Sequence, residues 1–259
     1  MNIFLQNALI AGIAISITCS LLGVFLVQRK MSFLGSGLSH SALGGIGLAI
    51  LLGIEPMYVA LPFTVLVSLL ITLVNERTKL EMDTSIGILF SAATALGIIF
   101  IAQSSGYVGD AYSYLFGSIL GVTPMDIVVA IAFTAITIAF MWRYWEELAY
   151  STFDAELALS DNVHIRRNTY LLHILLAIAI VVAMKIIGIV LCTAFLTLPA
   201  AIARVVAGTF TKMTLIAVVV GIATTVVGMF VSFLVDFPSG ATIIVVQSLV
   251  FGVCMVVKR

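Results

Sequence analysis

The sequence predicts an all-α polytopic membrane protein, a bundle of eight or nine transmembrane helices in a single domain spanning residues 1–259. Three observations carry that prediction. Hydrophobic residues make up 62% of the 259-residue chain and charged residues only 9%, with a mean hydropathy of +1.26. A soluble domain carries roughly 25% charged residues, so this composition cannot clothe a water-exposed surface. The apolar residues recur in stretches of about 20, the length that crosses a bilayer core at about 1.5 Å rise per residue. The basic residues collect between the stretches rather than inside them.

Taken in order, the first stretch runs near 4–27 and stops at Arg29-Lys30. It has no basic n-region and no small-residue cleavage site, so it reads as a retained helix and not a signal peptide. Further spans fall near 37–53, 57–75, 84–103 and 124–142. Thr169 to Ala207 is one apolar run broken by Lys185 and Gly188. It reads as two spans, 168–186 and 187–207, or as one span followed by a bent, shorter piece. The last spans fall near 213–235 and 239–257.

Orientation follows from the basic residues. Arg29, Lys30, Arg77, Lys79, Arg143, Arg166, Arg167, Arg204, Lys212, Lys258 and Arg259 mark one face, and Glu55, Asp110 and Asp236 the other. Nine spans satisfy this pattern with the N-terminus outside and the C-terminus in the cytoplasm. The longest polar stretch, Arg143 to Asn168, is flanked by arginines and should be cytoplasmic. Within it Asp154 can cap a short helix with an acid in its first turn. Leu148, Phe153, Leu157 and Leu159 alternate there with acids and small residues, so the segment is either a grip for another protein or a solvated connector.

Several functions are excluded. The twelve basic and twelve acidic residues balance, which suggests no nucleic-acid partner. Cys19, Cys192 and Cys254 lie in apolar segments at spacings that suit neither disulfides nor zinc knuckles. No GxxxxGK[ST], HExxH or GxSxG motif occurs, so the chain is not read as an enzyme, and any ATP hydrolysis belongs to another chain.

The chemistry concentrates between Met31 and Ile50. Ser32, Ser36 and His40 are spaced by four and fall on one helical stripe, with Ser39 beside it. Glycines at 35, 37, 44, 45 and 47 let neighbouring helices approach. Ionisable groups inside a span are costly and face a bundle interior or a water-filled cavity. A neutral imidazole there can bind a borderline divalent ion such as zinc, or donate to a neighbouring carbonyl. His164 in the polar connector reads as solvated, and His173 as a packed or interfacial side chain.

The stretch QRKMSFLGSGLSHSAL resembles the signature of the metal-ion permeases of ABC importers. EPMYVALPF, DTSIGILFSAATALGI, YSYLFGSILGVTPMDI, VAMKIIGIVLCTAFLTLPAAIARVVA and DFPSGATIIVV resemble further segments of that family, in order along the whole chain. The zinc permeases are the nearest likeness within it. The resemblance implies a fold related to the vitamin B12 and siderophore importer permeases. It implies a homodimer in the inner membrane among membrane lipid, two copies of a separate ATPase that binds the ATP, and a periplasmic or lipoprotein metal-binding protein. The cargo would be a divalent transition metal, zinc first and manganese or iron next, with no permanently bound cofactor.

It also implies residue roles. His40 and Ser36 would face the ion, with Asp236 and Asp110 as weaker outer candidates. The segment of about 146–165 would dock the ATPase through Glu147, Phe153, Asp154, Glu156, Leu157 and Asp161. Arg29, Lys30, Arg204 and Lys212 would be cytoplasmic anchors. The family carries Asp where this chain has Ser36, and a hydroxyl is a much weaker ligand than a carboxylate. The competing reading is a secondary transporter driven by an ion gradient, which would carry acids inside its spans; here the acids sit at segment ends.

Overall fold

The computed structural model describes residues 3–78, 80–104 and 122–258, and every regular element among them is helical. Ten helices follow in chain order: α1 (Ile3–Gln28), α2 (Ser32–Leu52), α3 (Pro56–Thr78), α4 (Met82–Gln103), α5 (Pro124–Phe153), α6 (Ala155–Ser160), α7 (Ile165–Ile187), α8 (Ile189–Val206), α9 (Phe210–Val235) and α10 (Ser239–Val257). Eight of them are long and apolar enough to cross a membrane, and α8 is a shorter apolar helix. Lys79, Asp110 and Arg259 lie outside the described residues.

The boundaries follow from local chemistry. Lys30 adopts a left-handed conformation (φ 58°) in the three-residue turn that separates α1 from α2. Gly53 (φ 67°) closes α2 by donating its N–H to the Ala49 and Ile50 carbonyls, a turn glycine forms without steric cost. Gly188 (φ 92°) divides the long apolar run into α7 and α8. The α5 start is a capping box: Thr123 Oγ1 accepts from the Asp126 N–H, Asp126 Oδ2 accepts from the Thr123 N–H at 2.8 Å, and Pro124 takes the first helical position. Hydropathy ends this span near 142, but the helix continues to Phe153.

The helices group into two compact units, each assembled from separate stretches of chain. Unit 1 comprises Met1–Lys30, Ser118–Asn168 and Ala194–Arg259; unit 2 comprises Met31–Gly117 and Thr169–Thr193.

In unit 1, α1 packs on α9 and α5, and α9 on α10. Val24, Ala200, Ala203, Met213 and Ala217 form a buried cluster. Hydroxyls add directional contacts: Thr18 and Thr134 Oγ1 atoms lie 2.9 Å apart, Thr134 donates to the Ala14 carbonyl, and Gln247 Nε2 donates to Thr224 Oγ1.

In unit 2, α2 is pressed against both α3 and α4. A Cβ at Gly44 would sit 2.6 Å from the Ala93 carbonyl oxygen, and one at Gly45 2.5 Å from Ala60 Cα. Only glycine permits that approach. Ala42, Ile46, Ala60, Val181, Met184 and Ile189 fill the core beside it. His173 is fully buried: its ring Nδ1 lies 2.6 Å from Thr72 Oγ1, and its carbonyl accepts from Ser68 Oγ. Elsewhere large apolar side chains point outward, as at Trp142, Leu234 and Tyr58. Such a surface suits lipid rather than water.

Candidate functional site

The serine–histidine stripe of unit 2 is the first candidate. Ser32, Ser36 and His40 are all half-buried, whereas Gly35, Gly37, Leu38, Ser39 and Ser41 beside them are buried. The stripe therefore lies on an edge of α2 that is only partly covered. The His40 Nδ1 lies 3.1 Å from the Ser36 carbonyl oxygen. A carbonyl only accepts, so Nδ1 carries the proton in this contact. In the neutral ring the unprotonated nitrogen is then Nε2, the tautomer that a metal-binding histidine presents when its other nitrogen is held by a backbone carbonyl.

α4 completes the surroundings of the ring. Phe90 packs edge-on against His40, with centroids 5.6 Å apart at 83°, and against Phe33 at 6.4 Å. Thr94 Oγ1 donates to the His40 carbonyl at 3.4 Å. Ser36 uses its backbone oxygen to orient the imidazole, the neighbouring-carbonyl contact weighed above as the alternative to metal binding. Phe90 and Thr94 are likewise absent from the sequence reading, because only the α2–α4 register brings them here. Among the described residues no group of three or more His, Cys, Asp or Glu side chains could hold a metal. One imidazole per chain offers a cation a brief contact, not a cage.

Asp236 belongs to unit 1, apart from the unit that holds His40. It ends α9 in a left-handed conformation (φ 60°), its N–H donating to the Ser232 carbonyl. Its side chain is exposed. Asp110 lies outside the described residues.

The second candidate is the joint between α5 and α7, wholly in unit 1 as far as Asn168. The structure makes the short helix briefer than the sequence suggests: α6 is six residues, and Glu147 belongs to the last turns of α5. Asp154 ends α5 and starts α6, where its Oδ1 accepts from the Leu157 N–H at 3.0 Å. Glu156 sits in the first turn of α6, where a carboxylate complements the helix dipole. Tyr150 donates to Asp161 at 2.6 Å across the turn. Glu147 accepts from Arg167 at 2.9 Å and from Asn168 at 3.0 Å, tying the end of α5 to the start of α7. Phe153, Leu157 and Leu159 are 59%, 54% and 63% exposed on this otherwise polar segment.

The four basic candidates behave differently. Arg29 is half-buried and hydrogen-bonded to Ser151 and Thr152; burial draws its guanidinium down to about 10, which leaves it charged at neutral pH. Arg204 donates to the Val27 carbonyl at 3.1 Å. Lys30 and Lys212 are exposed.

The model of the ABC 3 transport family matches residues 1–258. The manganese transport system membrane protein MntC of Listeria innocua is 32% identical over 248 residues, covering 96% of this chain and 88% of that protein. The high-affinity zinc uptake system membrane protein ZnuB of Haemophilus influenzae is 30% identical over 244 residues, covering 94% of each. Among solved structures, PsaBC from Streptococcus pneumoniae in complex with Fab superposes with a TM-score of 0.87 at 31% identity, covering 98% of this chain and 91% of that one.

Proposed function

This chain belongs to the ABC 3 transport family, and from that premise we propose that it is the membrane-spanning subunit of an ATP-driven zinc importer. It is a multi-pass permease of the kind found in metal import systems. The finer reading rests on one observation: a single imidazole, its Nδ1 held by a backbone carbonyl, stands on a half-buried polar stripe with a hydroxyl one turn away. Imidazole nitrogen suits zinc, whereas manganese favours carboxylate and other oxygen ligands. Relatives named for manganese and for zinc both match the chain, so ligand chemistry carries the choice of metal.

A polar line left facing hydrocarbon is costly, so the stripe is best covered by a second copy of the chain, whose own stripe completes a path for the ion. The protein then works as a homodimer in the inner membrane. A periplasmic or lipoprotein carrier delivers the metal outside, and two ATPase subunits grip the exposed Phe153, Leu157 and Leu159 inside. The absence of a three-ligand cage among the described residues suits a conduit, which must release its ion as readily as it takes it.

Vesicles containing the chain with its ATPase and carrier test this reading. Radioactive zinc should accumulate with ATP, and manganese should compete poorly. Preferential manganese uptake overturns the metal assignment. Uptake driven by a proton or sodium gradient without ATP overturns the importer in favour of a secondary transporter.

A further inference from the structure

Arg29 fastens the end of α5 to the end of α1. Arg29, the first residue past α1, donates through Nε to Thr152 Oγ1 at 2.9 Å and through Nη2 to Ser151 Oγ at 3.1 Å. Both hydroxyls spend their own protons on the Leu148 carbonyl, Thr152 at 2.6 Å and Ser151 at 3.2 Å. Their lone pairs are therefore available to the guanidinium. Two bonds from a planar fork fix an angle as well as a distance, which a lysine cannot do. Asp154, the cap that starts α6, is two residues beyond Thr152.

An aromatic cluster makes a second connection at the same level. Phe153 stands edge-on to Phe210 at 5.3 Å. Phe210, the first residue of α9, stacks on Trp145 of α5 at 5.2 Å and meets Phe25 of α1 edge-on at 5.3 Å. Phe25 is one turn before Arg29. A third link comes from Arg204 at the end of α8, bonded to the Val27 carbonyl. All of these residues belong to unit 1. The last turn of α5, which leads directly into α6, therefore touches α1 through Arg29 and α9 through Phe153.

We propose that Arg29 and the Phe25–Trp145–Phe153–Phe210 cluster form the joint that converts movement of α6 into movement of α1 and α9. Arg29 is then a positioning residue for transport that never touches the cargo. This rests on the reading of the chain as an ATP-driven permease, with α6 as the segment its ATPase grips.

The test measures two rates in vesicles holding the chain, its ATPase and its carrier: ATP hydrolysis and radioactive zinc uptake. For Arg29→Lys, hydrolysis should stay within about twofold of the unaltered complex while zinc moved per ATP falls by roughly tenfold or more. Thr152→Val, which keeps the shape and removes the acceptor, should lower the same ratio and serves if Arg29→Lys yields no folded protein. An unchanged ratio in the folded variants overturns the proposal. So does a proportional fall in both rates with less folded complex, since that marks a structural role only. If the unaltered complex shows no ATP-dependent uptake, the functional reading fails, and that result is seen before any variant is made.

Discussion

The histidine-bearing stretch of α2 and the far end of α5 lie in different units and are held by different means. α2 is seated by backbone-to-backbone contact: glycines at 44 and 45 let the main chains of α4 and α3 meet it. The end of α5 is seated by side chains, with Arg29, Glu147, Asn168 and Tyr150 bonding around it and its own Trp145 and Phe153 packed against Phe25 and Phe210. A backbone contact has no rotamers to exchange, so it leaves α2, and with it His40, little room to move. A side-chain joint can carry load and still re-form after each displacement. On the function proposed above, the contrast is between a constrained element for ion contact and a jointed one for force.

Substitutions at three positions would break or sharpen that contrast. His40→Ala should have the largest effect, bringing metal-dependent growth and zinc uptake down to background with normal protein amount. Uptake at the unaltered rate would take the ring out of the path and leave α2 with no chemical role. Gly44→Ala comes next. Its new Cβ would lie 2.6 Å from both the Ala93 carbonyl and Phe63 Cε1, so overpacking should cost about 2–3 kcal/mol in a thermal or denaturant melt. A loss no greater than for an exposed site would mean that α2 can shift, and the rigid half of the contrast would go. Asp154→Ala should be smallest, about 1 kcal/mol confined to α6, read as faster amide exchange at Leu157 with little change in global melting. Asp154→Asn should restore protection, because Asn caps as well as Asp.

Much of the fold can be read directly from the residues. Apolar stretch length sets eight of the helices close to their observed limits, because lipid imposes that length on every span. The expected 239–257 matches α10, and the expected 84–103 begins two residues inside α4. Gly188 is also legible as the break between α7 and α8, since a glycine in a long apolar run is where a chain can turn. Other features are not local. α5 continues eleven residues past its predicted end because Arg143–Phe153 remains helical although it carries charges, and hydropathy sees only the charges. The stripe of Ser32, Ser36 and His40 follows from spacing alone. Phe90 and Thr94 reach it only through helix register. Arg29 reads as a surface anchor until the hydroxyls of Ser151 and Thr152, more than a hundred residues away in sequence, are placed against it.

Asp154 is the whole connection between α5 and α6, ending one helix and opening the next with no residue between them to spare. A crank with no slack has a fixed throw. Each added residue would turn α6 by about 100° about its own axis and swing Leu157 and Leu159 to a new bearing. The device tolerates new side chains far better than new length: its geometry is stored in the number of residues, not only in their kind.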